Sequence, residues 1–128
     1  MRNHLVTSKQ PLLNIDGTLR EPGWSTSLVQ TYNRRDIKKR VTRIKEWDYY
    51  SVISNKNNIA VCFTVSDLGY IELDSVSFLD FSVPREHTQG NISPFPLGRL
   101  HMPSDSSIGD VKLANSKLGL EFLVKDKK

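Results

Sequence analysis

Short segments in which apolar and polar residues alternate follow one another along this chain, and turn-forming residues separate them. Residues 45–54 alternate most clearly, with Trp47 and Tyr49 on one face and Asp48 on the other. A period of two, with many aromatic and β-branched residues, is typical of a half-buried strand and excludes a helix with one apolar face. Residues 59–66 alternate in the same way. The Asn-rich link between the two segments therefore predicts a hairpin.

Turn signals predict further short strands on both sides of this central pair. Asp16-Gly17 is a strong two-residue hairpin signal, and Asn115-Ser116 separates two apolar segments near the end of the chain. The strands predicted outside the central pair cover residues 12–15, 18–20, 28–32, 111–113 and 118–125.

Residues 70–83 form a longer segment in which the apolar side chains change parity. Leu73 is an apolar residue on one face of the segment, and Val76 is an apolar residue on the other face. A strand re-aims its side chains in this way at a bulge. The pattern therefore predicts a bend or bulge near Asp74-Ser75.

Residues 84–103 contain four of the six prolines and are predicted to be a long surface loop, because proline removes donors from a strand ladder. Only residues 35–41 have any helical character, and that segment is short. The predicted fold class is therefore all-β, an antiparallel meander with at most one short helix. The length of 128 residues suits a single domain.

The bulk composition limits the compartment in which we expect the protein. The mean hydropathy is −0.41, and no apolar run approaches the roughly 20 residues that a membrane-spanning helix needs. The first ten residues carry three charged or titratable side chains and no apolar core typical of a secretory signal. We therefore expect no membrane span and a cytoplasmic location.

Residues that bind metals or carry out nucleophilic catalysis are sparse. Cys62 is the single cysteine, and it lies in an apolar run without a neighbouring base. The three histidines, His4, His87 and His101, are far apart in the sequence. The sequence contains neither a Gly-rich phosphate loop nor a G-x-S-x-G motif. We expect neither a metal site nor a cofactor.

Positive charge is concentrated in residues 34–45, which hold seven basic residues and one acidic residue, whereas the chain as a whole has a net charge of +4. Such a segment is either a solvated loop or a contact for an anionic partner such as nucleic acid or a membrane surface. Proteins that bind single strands interleave stacking aromatics with basic groups. Residues 34–45 contain no aromatic side chain, which disfavours nucleic acid.

Two segments combine carboxylates with aromatic side chains. In the first, Trp47 and Tyr49 either fill a core or wall an apolar pocket. In the second, Asp67 precedes Gly69 as in a tight turn, and the functional alternative places Asp67 and Tyr70 at the mouth of a pocket. The candidate ligand-binding residues are therefore Trp47, Tyr49, Asp67 and Tyr70.

The order of these motifs resembles the DUF2804 family, a bacterial domain of unknown function. The segments that carry the resemblance are Gly23-Trp24, Tyr32-Asn33-Arg34, Ile44-Lys45-Glu46-Trp47-Asp48-Tyr49-Tyr50, Ser66-Asp67-Leu68-Gly69-Tyr70, Asp80-Phe81, Met102-Pro103 and Gly109-Asp110-Val111. The resemblance implies a β-rich fold similar to calycins and lipocalins, with a barrel or half-barrel. It also implies that residues 1–128 are one β-rich domain, the N-terminal part of a longer architecture. It assigns no catalytic residues.

Three functions remain open from the sequence. The first is a binding module that holds an apolar small molecule in an interior lined by residues such as Trp47, Tyr49, Val61, Phe63 and Phe81. The second is a hydratase-like or isomerase-like enzyme acting on a lipid-like substrate, in which Asp48 or Asp67 works with Tyr50 or Tyr70. The third is an interaction module that uses residues 34–45. Independently of these functions, unpaired sheet edges predict self-association.

Overall fold

The computed structural model describes residues 3–105 and 107–125. Within this part of the chain, residues group into two compact units. The first unit takes its described residues from 3–39, 103–110 and 124–125, and the second from 40–102 and 111–123. Each unit is described separately below, and the prediction of one β-rich domain over residues 1–128 stays a prediction.

The first unit contains short pairings and turns. Strand β1 (Gln10–Pro11) pairs in parallel with β2 (Gln30–Thr31), which lies inside one of the predicted segments. The predicted turn at Asp16-Gly17 is confirmed. The Asp16 carboxylate accepts a hydrogen bond from the backbone N–H of Thr18 at 2.9 Å, and Gly17 adopts a φ of 81°. The flanking segments make only a single antiparallel bridge, between Leu13 and Leu19, so the strands predicted at residues 12–15 and 18–20 do not form.

The described residues form two 3₁₀ turns, Arg34–Asp36 and Val41–Arg43, and no α-helix. The Asn33 side chain caps the first turn by accepting the backbone N–H of Arg35 at 3.0 Å. The first turn belongs to the first unit and the second turn to the second unit. The basic segment predicted as one feature is therefore shared between two compact units.

The second unit is built on an antiparallel meander. Its strands are β3 (Glu46–Ser54), β4 (Ile59–Asp67), β5 (Ile71–Asp80) and β6 (Arg85–Pro94), and each pairs with the next. A separate hairpin in this unit joins β7 (Val111–Ala114) to β8 (Gly119–Phe122). The two hairpins expected from the sequence in this unit, β3–β4 and β7–β8, are confirmed.

The prediction that residues 84–103 form a loop is wrong for their first half. Residues 85–94 form β6, which among the described residues pairs with β5 alone. Pro84 precedes the strand and Pro94 is its last residue, so neither proline interrupts the ladder. The sequence argument excluded a central strand, and β6 is an edge strand, where proline is tolerated.

The predicted bulge near Asp74-Ser75 is also wrong. β5 stays in unbroken register with both neighbours, so that Asp74 lies opposite Val65 and Ser75 lies opposite Gly90. The apolar residues change parity because β5 carries apolar side chains on both faces of the sheet, and the backbone itself does not change face.

The register defines two faces of the sheet, which we name by one residue each. The Phe63 face contacts the β7–β8 hairpin through Phe122, whose ring stacks on Tyr50 with centroids 3.7 Å apart and meets Phe63 edge-on at 5.5 Å. The side chains on this face include Tyr50, Phe63, Val65, Asp67, Glu72 and Asp74. The Trp47 face includes Trp47, Tyr49, Cys62, Thr64, Ser66, Leu73, Ser75, Gly90 and Ile92.

The architecture confirms an all-β fold built on an antiparallel meander. In the part of the chain that the structure describes, the sheet stays open because β3 and β6 do not pair with each other. None of the described helical segments has the length and apolar character needed to cross a bilayer.

Candidate functional site

A groove of about 620 Å³ lies on the Trp47 face of the sheet. Its floor is a row of small side chains, in which Thr64 pairs with Ser75 and Ser75 pairs with Gly90 across β4, β5 and β6. Because none of these residues projects a long side chain, the sheet surface is depressed along this row.

The walls of the groove come mainly from the next row of the sheet. Trp47, Ser66, Leu73 and Ile92 lie side by side in this row, one from each strand. Trp47 is 64% exposed and Ile92 is 66% exposed, which is a large exposure for such apolar side chains. The Ser66 hydroxyl donates to the carbonyl oxygen of Leu73 at 2.5 Å. That hydroxyl is therefore already hydrogen-bonded, and the walls are predominantly apolar.

Of the four ligand-binding residues predicted from the sequence, Trp47 lines the groove. Tyr49 lies on the same face, one pair further along β3 opposite Thr64, and is outside the lining. The adjacent Cys62 thiol raises the pKa of Tyr49 through a hydrogen bond between the two side chains. Tyr49 is therefore a neutral phenol at the border of the groove at neutral pH.

Asp67 lies on the opposite face and is completely buried. Its carboxylate accepts the backbone N–H of Gly69 at 2.9 Å and the backbone N–H of Gly98 at 2.6 Å. These bonds tie the β4–β5 turn to the loop that follows β6. Asp67 is thus a structural ligand of two loops, as the turn interpretation of its motif suggested.

Tyr70 is exposed in the β4–β5 turn and is not among the residues that line the groove, although Leu68 in the same turn is. Its carbonyl oxygen accepts the backbone N–H of Phe95 at 3.0 Å. The structure therefore places Tyr70 next to the loop after β6, and it does not bring the four predicted residues into one pocket.

The expectation that Trp47 and Tyr49 line the same interior as Val61 and Phe63 is wrong. The register puts the first two residues on one face of the sheet and the last two on the other. Phe81 lies in the exposed turn after β5. The alternation within each strand was correct, but alternation alone does not say which faces of neighbouring strands coincide.

The second aromatic and acidic pair, Asp48 and Tyr50, is joined by a hydrogen bond. The Tyr50 hydroxyl donates to Asp48 Oδ2 at 3.2 Å. Burial, followed by the negative charge of Asp48, raises the pKa of Tyr50 to about 12. Tyr50 can therefore act as a hydrogen-bond donor at neutral pH and is not poised to act as a base.

A pair of buried acids on the Phe63 face was not identified from the sequence. Asp74 is 2% exposed, Glu72 is also buried, and both carboxylate oxygens of Asp74 lack a hydrogen-bond donor among the described residues. Burial, together with the neighbouring Glu72 carboxyl, raises the pKa of Asp74 to about 7. A proton on one carboxyl would supply the missing donor between the two. The Glu-x-Asp spacing in a strand is the sequence signal for this pair.

Sequence reasoning also missed most of the groove. Gly90 and Ile92 lie in β6, which was predicted to be a loop, and Thr64 and Ser75 are small polar residues with no evident chemistry. The alternation of Thr88, Gly90 and Ile92 was the available signal, but the flanking prolines concealed it. No cluster of three or more metal-binding side chains occurs in the described ranges 3–105 and 107–125.

The fold and site define a strand-rich protein with an open antiparallel sheet and an apolar groove on one face. The chain belongs to the family described as a domain of unknown function, DUF2804, which matches residues 3–128. This finding confirms the resemblance inferred from the motifs.

A stretch of 74 residues, 57% of the chain, is 34% identical to the pre-mRNA-splicing factor SNU114 of Saccharomyces cerevisiae. The similar stretch covers 7% of that splicing factor, so the similarity concerns a small part of it. No solved structure matches the chain.

Proposed function

We propose that the groove on the Trp47 face binds an apolar small molecule. The observation that carries the proposal is the combination of exposed apolar walls with a floor of small side chains. Pockets for small molecules have volumes of about 300–1,000 Å³, mostly apolar linings and a few polar groups. The groove, at about 620 Å³, falls within that range.

The driving force would be the removal of apolar surface from water. Trp47 and Ile92 stand exposed at the two edges of the sheet, and Leu73 lies between them on β5. A ligand that covers these side chains gains about 25 cal/mol for each Å² of apolar surface that it buries, before the loss of its own freedom is subtracted. The small floor residues favour a flat ligand that lies against the sheet.

Filling the floor of the groove provides the sharpest test. Ser75→Leu places a large side chain between Thr64 and Gly90, whereas Ser77→Leu makes the same change two residues further along the same strand and face, outside the lining. We expect Ser75→Leu to abolish the fluorescence enhancement of the apolar probe N-phenylnaphthylamine and Ser77→Leu to retain it. Equal binding by the two variants would contradict the groove as the site.

Trp47 supplies an independent signal. In a Trp24→Phe background Trp47 is the remaining tryptophan, so its emission reports on the groove. We expect a blue shift when an apolar ligand binds, because the exposed indole loses contact with water. An unchanged spectrum under conditions in which the probe binds would place the ligand elsewhere.

The hydratase or isomerase alternative stays a prediction, as does self-association through the sheet edges. Two of the residues named for the enzyme already have hydrogen-bond partners. Asp67 accepts the N–H groups of Gly69 and Gly98, and Tyr50 donates to Asp48.

A further inference from the structure

A surface that combines apolar and basic side chains occupies one end of the four-stranded sheet. We call this surface the tip and define it by Tyr70, Phe95 and Leu97 together with Arg40, Arg43, Lys45 and Arg99. All seven residues are exposed and belong to the second unit. Phe95 is 59% exposed and Leu97 is 43% exposed, which leaves an aromatic and an aliphatic side chain facing water on the same short loop.

The backbone holds this loop in one conformation. Phe95 and Leu97 adopt positive φ angles of 51° and 54°, which cost a non-glycine residue about 1 kcal/mol or more. The loop is fixed by hydrogen bonds from Phe95 N to the Tyr70 carbonyl, from Leu97 N to the Gly69 carbonyl at 3.3 Å, and from Gly98 N to Asp67. The exposed side chains of Phe95 and Leu97 therefore lie on a loop whose backbone is fixed by hydrogen bonds.

Basic side chains surround the apolar loop. The Lys45 ammonium lies 5.6 Å from the centre of the Tyr70 ring, and the Arg99 guanidinium donates to the carbonyl oxygens of Phe95 and Pro96. The second 3₁₀ turn, which carries Arg43, packs against Gly69 so closely that a Cβ there would lie 2.5 Å from the Val41 carbonyl oxygen. The basic turn is therefore adjacent to the apolar loop.

The acidic side chains at this end of the sheet are buried or half-buried. Asp67 and Glu72 are buried and Glu46 is half-buried, whereas the four cations of the tip are exposed. The exposed charge at the tip is therefore positive, although the acids beneath reduce its field. This arrangement favours an anionic partner that also accepts apolar side chains.

A bilayer containing anionic phospholipid meets both requirements better than a nucleic acid does. Aliphatic Leu97 has no role in base stacking, and the Tyr70 ring already has a cation near it. At a membrane interface, by contrast, Leu and Phe enter the acyl boundary, Tyr lies at the headgroups and Lys and Arg contact anionic lipid. Residues 34–45 lack aromatic side chains of their own, and the fold supplies Tyr70 and Phe95 from two other loops.

We propose that the tip docks this protein on an anionic membrane surface, with Phe95 and Leu97 inserted at the interface and Arg40, Arg43 and Lys45 contacting lipid headgroups. The groove and the tip share no residue. The proposal does not depend on whether the groove binds a ligand.

Co-sedimentation of the full chain with phosphatidylcholine vesicles, with and without phosphatidylserine, tests the proposal. The apolar variant is Phe95→Asn with Leu97→Asn, because asparagine tolerates positive φ and removes the apolar side chains. Its matched control is Phe81→Asn with Val83→Asn, an exposed aromatic and an exposed aliphatic residue in the β5–β6 turn at the other end of the sheet. The charge variant is Arg40→Gln with Arg43→Gln, and its control is Lys56→Gln with Lys117→Gln.

We expect binding to vesicles that contain phosphatidylserine and much weaker binding to phosphatidylcholine alone. The charge variant should bind about 10-fold or more weakly, since each basic residue near an anionic surface contributes close to a factor of five. The apolar variant should also bind about 10-fold or more weakly, because it no longer buries the Phe95 and Leu97 side chains at the interface. Both control variants should bind like the parent protein. If the apolar variant fails to fold by circular dichroism, the charge variant still decides the matter.

Three results would overturn the proposal. They are an absence of binding to phosphatidylserine vesicles at low salt, an equal loss of binding in tip and control variants, and retention of vesicle binding by the charge variant. If the protein does not bind vesicles but binds an RNA oligonucleotide tightly, and the tip variants lose that binding, the tip is a nucleic-acid site instead.

Discussion

At the tip end of the four-stranded sheet the structure buries Val65, Ser66, Asp67 and Glu72, whereas at the opposite end it leaves Val52, Ile53, Phe81 and Val83 exposed. Both ends belong to one meander with uninterrupted register. The difference therefore arises from the segments that lie over each end. The 3₁₀ turn Val41–Arg43 and the loop after β6 pack against the tip end.

The same turn chemistry has different consequences at the two ends. Asp67 is the last residue of β4 and Asp80 is the last residue of β5, and each accepts the backbone N–H of the residue two positions later. Asp80 is half-buried, and its hydrogen bonds are local. Asp67 is buried and also binds Gly98, 31 residues away. The same aspartate turn motif makes a tertiary contact only at the end of the sheet where another segment packs over the aspartate.

The largest expected effect is that of Asp67→Ala. The substitution leaves the buried N–H group of Gly69 and the half-buried N–H group of Gly98 without an acceptor. Because each hydrogen bond to a charged acceptor contributes about 1.5–3 kcal/mol, we expect the free energy of unfolding to fall by about 3 kcal/mol or more. Urea denaturation followed by circular dichroism measures this change. A loss below about 1 kcal/mol would show that the hydrogen bonds from Gly69 and Gly98 to Asp67 contribute little to stability.

The next largest effect is expected for Gly69→Ala. Gly69 has a φ of 80°, and a Cβ there would lie 2.5 Å from the Val41 carbonyl oxygen. The combined strain should lower the free energy of unfolding by about 2–3 kcal/mol. Gly119→Ala is the matched control, because nothing lies within 4 Å of a Cβ added there. Similar denaturation midpoints for the two variants would contradict the close packing of the tip.

A third prediction concerns pH and the buried Asp74. Its folded-state pKa of about 7 lies above the ordinary value of 3.8, so the folded protein binds the proton more tightly than the unfolded chain does. The stability that this proton confers is present below the unfolded pKa and is lost as the pH rises through the folded pKa. Asp74→Asn removes the charge at every pH and should therefore stabilise the protein more in alkaline than in acidic buffer.

We expect the stabilisation by Asp74→Asn to be about 2 kcal/mol larger near pH 8 than near pH 5, as measured by urea denaturation at both values. Asp80→Asn serves as the control: hydrogen bonds from Ser82 lower the pKa of Asp80, so this carboxyl is ionised in both the folded and the unfolded state at pH 5 and at pH 8, and its substitution should change the free energy of unfolding equally at the two values. A pH-independent effect of Asp74→Asn would mean that the buried carboxyl does not titrate in this interval.

The smallest effect is expected for Asp80→Ala at the exposed end. Its acceptor role is local, and water can replace it at the Ser82 and Val83 N–H groups. We expect a fall in the melting temperature of about 2 °C or less by differential scanning calorimetry. A loss as large as that of Asp67→Ala would remove the distinction between the two ends of the sheet.

Much of the fold could be predicted because alternation and turn residues are local signals. The hairpins β3–β4 and β7–β8 and the turn at Asp16-Gly17 each depend on residues adjacent in sequence. Strand β6 was missed because the prolines argue only against a central strand, and the segment was then assigned to a loop, although an edge strand needs half as many donors. The bulge in β5 was inferred from apolar residues that in fact occupy both faces of a regular strand.

The candidate site was less accessible to sequence reasoning. Trp47 could be identified because a large aromatic residue in an alternating strand is conspicuous. The floor made by Thr64, Ser75 and Gly90 depends on how three strands align, and no property of any one strand encodes that alignment. Asp67 and Tyr70 were assigned to a pocket mouth, whereas the structure uses Asp67 to hold two loops together.

The sequence by itself determined that the chain is all-β, where most of its strands and turns lie, and which family it belongs to. These properties follow from local alternation, turn chemistry and motif order. Only the tertiary structure decided which side chains share a face, which acids are buried and which loops meet at the tip. Those outcomes depend on strand register and on contacts between residues far apart in the chain, such as Asp67 with Gly98, and local patterns do not specify such contacts.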